Sequence, residues 1–520
     1  MSPRQALSTD ELLSHLHVPP LEGQTLSLCL PTVAAVNEAL QSLRATSKED
    51  IQSLSQGLKE VARLDVDPQL KLDLLALFTT RVNRFTATLG QARLDDSAAA
   101  LISTSINMLK QLSLGYKSTL TALLGTSESH DQRLLGRALS GCFDSLGLTY
   151  LRSLQLHLPA PGNLWEELNA LYRLCSLLDM RKARFRMIDS AFKPELSLQD
   201  RYLRVLLLAC AHPYQYENHE LEHIHEALAH WSPLTNLVPT PEEGMFLIDV
   251  NSGDGPFLAT RQHRITSSML WIRTSRLVRQ LRERSSTSTL SRGKLTPALV
   301  QKLCNTFGQE YCRNEDRVTI LGDMELVAEL GNVHALINAD RLLSPPGRLS
   351  SSQWLPGVPR RAPAPVAAKE VNISKRGSCI ELEPPVAEQL APGDVVAVRR
   401  SKRASWSIAM VRWKRAKPDF SARFGLEIIA RHAVPGASRQ AGRQDAVWHS
   451  VLLLRDTDQN GQWQLMTRPA HAEHNALLEV LTGQDNHNVT LGPAELVTAS
   501  LSLHALPARD FVLAEASRGA

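Results

Sequence analysis

Across residues 1–235, apolar side chains recur every three or four positions, most clearly over 33–43, 49–64, 68–89, 96–124, 131–154, 164–179 and 198–211. That spacing matches the 3.6-residue helical turn, so each segment is read as an amphipathic helix with one face toward a core. Pro, Ser or Asp precedes several of them, as helix N-termini prefer. No fixed repeat length emerges, although successive helical hairpins are compatible with solenoid-like stacking. At residue 244 the period changes. Apolar runs at 245–250 and 257–260 flank Asn251-Ser252-Gly253-Asp254-Gly255-Pro256, which predicts a β-hairpin. Helical spacing returns over 268–284, a Ser/Thr-rich stretch at 285–291 reads as a linker, and 295–307 predicts a short helix.

Beyond residue 312 the alternation shortens to two. Val318-Thr319-Ile320-Leu321-Gly322, the segment 366–371, Ser378-Cys379-Ile380-Glu381-Leu382, Val395-Val396-Ala397-Val398, 406–413 and 424–429 all read as strands, punctuated by turns such as Pro392-Gly393-Asp394. Short strands with such punctuation predict a small barrel. Within it, 325–338 has helix-like spacing, and 341–365 is a Pro-, Ser- and Arg-rich exposed loop. A second β-rich unit is expected from 447 onward, with a disordered tail from about residue 514. The expected fold is multidomain α+β. It comprises a helical region at 1–235, a hairpin-plus-helix connector at 236–295, a barrel at 296–440 with a helix and loop inserted at 325–365, and a C-terminal β-rich unit at 441–520.

Composition narrows the class. A chain of 520 residues exceeds one hydrophobic core. The net charge of +4 is too small for a bulk polyanion binder, though it permits local basic patches. The strongest apolar run, 203–211, is interrupted by Arg204 and too short to span a bilayer, so no membrane insertion is expected. The N-terminus lacks a basic-then-apolar leader pattern. Seven scattered Cys, an odd number with no CxxC, indicate free thiols and a cytoplasmic location.

Few segments carry candidate chemistry. His219-Glu220-Leu221-Glu222-His223 spells H-E-x-x-H, which on a helix puts two imidazoles on one face as zinc proteases require. Glu222 is out of character inside such a motif, and with His225, Glu226 and His230 following, the segment reads as a charged, solvated helix face. Asp249 to Gly255 lacks the glycine position and terminal Glu of a calcium loop. Arg399, Arg400, Lys402, Arg403, Arg412, Lys414 and Arg415 are interleaved with Trp406 and Trp413. That pattern suits a single-stranded RNA platform, or a barrel whose outward positions are charged and whose two Trp fill the core. DNA binding is not expected. No P-loop, dinucleotide fingerprint, nucleophile elbow or kinase signature occurs, so the chain is read as non-enzymatic, with no catalytic residues, no metal and no cofactor.

Two short signals remain. Arg313-Asn314-Glu315-Asp316-Arg317 is an RxxxR, and Asn372-Ile373-Ser374-Lys375-Arg376-Gly377 is an NxSxxG. Alone, the first is frequent in an Arg-rich chain, and the second marks a turn in which Asn and Gly supply unusual backbone angles. In this order, among these strands and with Phe424-Gly425-Leu426-Glu427-Ile428-Ile429 following, residues 305–435 resemble the PilZ domain, a small β-barrel that binds cyclic di-GMP. The resemblance implies a receptor in which Arg313 and Arg317 clamp the nucleotide while Asn372, Ser374 and Gly377 receive it on the barrel. Arg suits this task because its planar fork pairs bidentately with phosphate and with guanine and stacks on a base. Arg317 and Asn372 stand 55 positions apart (372 − 317), about twice the family's usual separation, with the 325–365 insertion between them. Arg360 and Arg361 are competing candidates. The implied protein couples cyclic di-GMP to an unidentified protein partner through its helical region. The alternatives are a scaffold or chaperone-like interaction protein with a degenerate barrel, or an RNA-binding module.

Overall fold

The computed structural model describes residues 8–506, except 19, 44–46, 87–95, 126–130, 187–194, 241–245, 260–264, 286–294, 309–317, 342–362, 403, 418, 420, 443–445, 456–461, 469–475, 483–484, 492–493 and 498–500. The chain divides into two units, residues 1–312 and 313–520.

In the first unit the helices are Val33–Ser42, Lys48–Arg63, Pro68–Thr86, Asp96–Gly125, Gln132–Gln155, Leu164–Leu177, Leu198–Cys210 and Asn218–Trp231. Their starts follow from local chemistry. Thr32, Ser47 and Asp131 side chains accept from backbone N–H groups of the first turn. Ser197 and Asp200 exchange bonds as a capping box. The apolar stripes meet in one core, where Tyr172 stacks on Tyr202 at 4.6 Å. A strand pair and a four-stranded sheet accompany the helices. Strands β1 (Arg184–Arg186) and β2 (Glu195–Ser197) pair antiparallel; three-residue strands are too short to show a period. Strands β3 (Asn236–Val238), β4 (Phe246–Asp249), β5 (Phe257–Leu258) and β6 (Met269–Arg273) form a sheet in the order β3-β6-β4-β5, in which β4 and β5 are the expected hairpin. Phe246, Ile248 and Ile272 of this sheet join the helical core, as do Leu281 and Leu303 of the helices Ser275–Ser285 and Pro297–Phe307.

The second unit begins with a closed six-stranded barrel. Its strands are β7 (Val318–Ala328), β8 (Val366–Ile373), β9 (Gly377–Leu382), β10 (Val395–Arg399), β11 (Ser407–Ala416) and β12 (Ala422–Ala430), in the order β10-β11-β12-β9-β8-β7. Closure pairs every neighbouring strand, including the first with the fourth in chain order, so no sheet edge runs the length of the barrel. Met324, Leu326, Ile380, Val396, Phe424 and Leu426 fill its interior. Gly393, at φ 94°, makes the turn before β10, where a side chain would be strained.

The helical spacing read over 325–338 resolves into two elements. Residues 325–328 complete β7, and the helix is Leu330–Arg341. The break falls at Glu329, whose positive φ of 72° no helix tolerates. This helix is the wedge between the barrel and a second sheet, with Leu330, Val333, Leu336 and Ile337 packed on both. The second sheet contains β13 (His432–Gln440), β14 (His449–Arg455), β15 (Trp463–Thr467), β16 (Leu477–Thr482), β17 (Asp485–Thr490), β18 (Ala494–Val497) and β19 (Ser502–Ala505). Their order is β17-β16-β13-β14-β15-β19-β18, all antiparallel. Thus the fold is a helical region followed by a small barrel and a second β-rich unit.

Candidate ligand-binding site on the barrel

The NxSxxG motif joins β8 to β9. Asn372 and Ile373 end β8, and Gly377 opens β9. The turn between them closes with a bond from Ser374 N–H to the Gly377 carbonyl at 2.8 Å. It is tied to the barrel by a bond from Ile428 N–H to the Arg376 carbonyl, also 2.8 Å. Neither Asn372 nor Gly377 has a positive φ, which corrects the expectation of unusual backbone angles at this turn. Gly377 is needed for close approach instead. A Cβ there would lie 3.1 Å from Ser374 Oγ and 3.2 Å from the Leu426 carbonyl oxygen, a backbone atom held in β12.

Register decides which way the motif faces. Glu370 pairs with Ile380, which points into the barrel, whereas Asn372 pairs with Cys379. The intervening shift is a β-bulge. A regular strand would put Glu370 and Asn372 on one face; the bulge leaves Glu370 inside and turns Asn372 out. The outward row continues through Thr319 on β7, Asn372 on β8, Cys379 on β9, Gly425 on β12 and Trp413 on β11, each paired to the next.

A second bulge, between Val411 and Trp413, does the same on β11. Val411 fills the interior, Trp413 is half-buried on the outer face, and Lys414 turns inward. This corrects two sequence expectations. Only Trp406 is a core residue, at 5% exposure. Lys414, expected to be solvated, is buried, with Nζ donating to the Leu390 carbonyl at 2.9 Å and its pKa pushed down to about 8 by burial. Trp413 rests over Gly425, where a Cβ would sit 1.8 Å from its Nε1. Its place beside the motif was not legible in the sequence, because a bulge has no composition of its own.

The β7–β8 pairing brings the residue that follows the first motif beside the second motif. Val318 pairs with Ile373, and Thr319 with Asn372. Val318 directly follows Arg317 in the chain, and Ile373 directly precedes Ser374. Consecutive Cα atoms are about 3.8 Å apart, so the long separation in sequence closes to neighbouring strands. The insertion runs between β7 and β8 without parting them. Arg313 and Arg317 themselves lie outside the described residues, as do Arg360 and Arg361.

The basic cluster is largely neutralised. Arg399 Nε donates to Glu325 at 2.6 Å and its guanidinium lies 4.3 Å from the Trp406 ring centroid. Arg412 pairs with Glu427, and Arg400 with Glu370. Burial pushes the Glu370 carboxyl up, but the bonds from Arg400 and Ser378 outweigh it and hold the group below the ordinary value.

The H-E-x-x-H segment is also spoken for. It forms part of the helix Asn218–Trp231; His219, Glu226 and His230 are exposed as a solvated face requires, but that reading is corrected for Glu222 and His225. Glu222 accepts from Arg152 Nη1 at 2.7 Å and from Gln155 Nε2 at 3.1 Å, and Arg152 is 2% exposed. The His225 ring and carbonyl meet the Arg204 guanidinium, and burial with that charge pushes its pKa well down. Among the described residues, no group of His, Cys, Asp and Glu is arranged to hold a metal ion. Among the same residues, no helix is long and apolar enough to cross a membrane.

Residues 359–435 match the family model of the middle PilZ domain of the cyclic-di-GMP receptor FimW. The barrel is a PilZ domain. The match starts after the insertion, so β7 belongs to this PilZ domain by closing its barrel rather than by sequence likeness. Residues 34–242 match the model of the N-terminal domain of the same receptor. Over 517 residues the chain is 26% identical to the cyclic-di-GMP receptor FimW of Pseudomonas aeruginosa, covering 86% of this chain and 83% of that protein. No solved structure gives a significant match.

Two substitutions in the PilZ turn separate binding from folding. Ser374→Ala removes a hydroxyl from a half-buried turn and is expected to weaken nucleotide binding while leaving the melting temperature within a degree or two. Gly377→Val places branched carbon against the Leu426 carbonyl and is expected to destabilise the barrel by about 1–3 kcal/mol and to weaken binding as well. Melting curves and calorimetric titration check both. A Gly377→Val protein that melts and binds like the parent would show that this approach is not tight.

Proposed function

We propose that this chain is a cytoplasmic cyclic di-GMP receptor, a non-enzymatic regulator in which Arg313, Arg317, Asn372, Ser374 and Gly377 hold the nucleotide. The observation that carries this reading is the β7–β8 pairing, which seats the residue after Arg317 beside the residue before Ser374. The name of its Pseudomonas aeruginosa relative supports it. The chemistry fits. Cyclic di-GMP carries two phosphate charges and two guanines, and two guanidinium groups can pair with the former and pair with or stack on the latter. Six described cysteines are all free, which supports a reducing compartment.

Titration of the full chain with cyclic di-GMP by calorimetry, with cyclic di-AMP and GMP as controls, tests the proposal. Saturable binding selective for cyclic di-GMP is expected. Absence of binding would favour the scaffold reading, with a barrel that has lost its ligand. The RNA-platform reading is disfavoured because Arg399 and Arg412 are already paired with carboxylates and Lys414 is buried. We further propose that output passes to a protein partner through the helical region. Binding must then bias one of two arrangements, read as altered hydrogen exchange in the helix Pro297–Phe307 on adding ligand. Protection confined to the barrel would place the output on the barrel itself.

A further inference from the structure

One ion pair at the motif's end of the barrel is built differently from the rest. Glu370 is 2% exposed, and both of its oxygens are engaged. Oε1 accepts from Ser378 Oγ at 2.6 Å and from Arg400 Nη2 at 2.9 Å; Oε2 accepts from Arg400 Nε at 2.8 Å. The Arg400 side chain nevertheless remains 54% exposed. The pair is therefore buried on one side and open to solvent on the other. Arg400 uses its Nε–Nη2 edge on Glu370, and Nη1 takes part in none of these bonds.

Glu370, which holds Arg400, and Ser378, which holds Glu370, both belong to the hairpin carrying the NxSxxG motif. Glu370 precedes Asn372 by two residues, and Ser378 directly follows Gly377. Arg400 itself follows the last residue of β10, whose partner on β7 is Glu325. The barrel end so defined also carries Lys375 and Arg376, both exposed in the turn, and Lys402 just beyond Arg400. Their cationic field favours an anion there. Arg399, one residue earlier, is occupied differently, between Glu325 and the Trp406 ring.

We propose that Arg400 is a further ligand-contacting residue, a guanidinium preset by Glu370 and Ser378 to meet a phosphate of the nucleotide held at the turn. This rests on reading the barrel as a cyclic di-GMP site. Anchoring has a physical advantage. A free Arg surrenders rotamer freedom when it binds, whereas one already fixed along its Nε edge surrenders little. Glu370 is buried with both oxygens engaged, so its role is to aim the guanidinium. Burying a carboxylate is costly without such a partner, so the pairing also accounts for a buried Glu at this position.

The test uses the full chain and cyclic di-GMP itself. The parent, Arg400→Ala and Arg400→Lys are titrated at low and high salt, with melting curves alongside. Losing a charge-assisted bond to phosphate is expected to weaken Arg400→Ala about 10-fold or more at low salt. The deficit should shrink as salt screens the contact. Arg400→Lys, which keeps the charge but not the fork, should fall between the two. Arg400→Ala binding like the parent would overturn the proposal and leave the receptor reading intact. A loss that is equal at every salt concentration and follows a lowered melting temperature would also overturn it, by reducing Arg400 to a structural role. Failure of the parent to bind would remove both readings at once.

Discussion

Replacing Arg313 and Arg317 together with Ala is expected to reduce cyclic di-GMP affinity to the edge of detection. On the proposed reading each guanidinium would donate charge-assisted hydrogen bonds worth about 1.5–3 kcal/mol, or roughly 10- to 150-fold in affinity per residue. The double variant therefore loses on the order of a hundred-fold or more. Stability should hardly change, because solvated Arg side chains carry little folding energy. Calorimetric titration with a parallel melting curve checks both halves. Unchanged affinity in the double variant would remove these two residues from the site and make Arg360 and Arg361 the pair to test. The result also bears on the β7–β8 pairing. If the clamp holds, Val318 and Thr319, which stand beside Ile373 and Asn372, should gain exchange protection on ligand addition, since their exposed strand would be covered.

The second large effect is expected far from the ligand. Glu222→Ala removes the carboxylate that receives Arg152 Nη1 and Nη2. Arg152 is 2% exposed, and its other described partner is Gln155. A buried guanidinium left without its counter-charge costs about 3–5 kcal/mol, which should show as a clear drop in the melting temperature of the helical unit. Replacing Arg152 by Met together with Glu222 by Leu should recover much of the loss, because an apolar pair of similar volume carries no desolvation cost. The outcome also decides what the H-E-x-x-H letters mean. If Glu222→Ala melts like the parent, the contact with Arg152 is not structural, and the motif regains interest as a metal site. Added zinc shifting the melting temperature of the parent would point the same way.

Much of the architecture was legible before any coordinates. Seven amphipathic segments became helices within a few residues of their expected bounds, because their apolar stripes are long and their caps are local. The β4–β5 hairpin and the barrel strands were legible for the same reason: alternation and turn residues act within a few positions. The motif residues Asn372, Ser374 and Gly377 stand out by type and spacing, and the structure sets them on one hairpin. What the sequence could not show is where alternation breaks. Lys414 looks like an outward charge and Trp413 like a core residue, and a one-residue bulge exchanges them. Glu222 and His225 look like parts of a solvated face, and the partners that bury them, Arg152 and Arg204, lie on other helices.

Fold class and the succession of helical and β-rich regions follow from the sequence alone, since both rest on periodicity and local chemistry. The tertiary structure alone places Val318, the residue after Arg317, beside Ile373. Antiparallel pairing of β7 with β8 joins the ends of the insertion, a contact between residues far apart in the chain that no local pattern encodes. It also decided that Glu370, two residues from Asn372, faces the interior and holds Arg400 at the barrel mouth. That arrangement follows from a bulge and a closed sheet acting together, and neither is written in the order of residues.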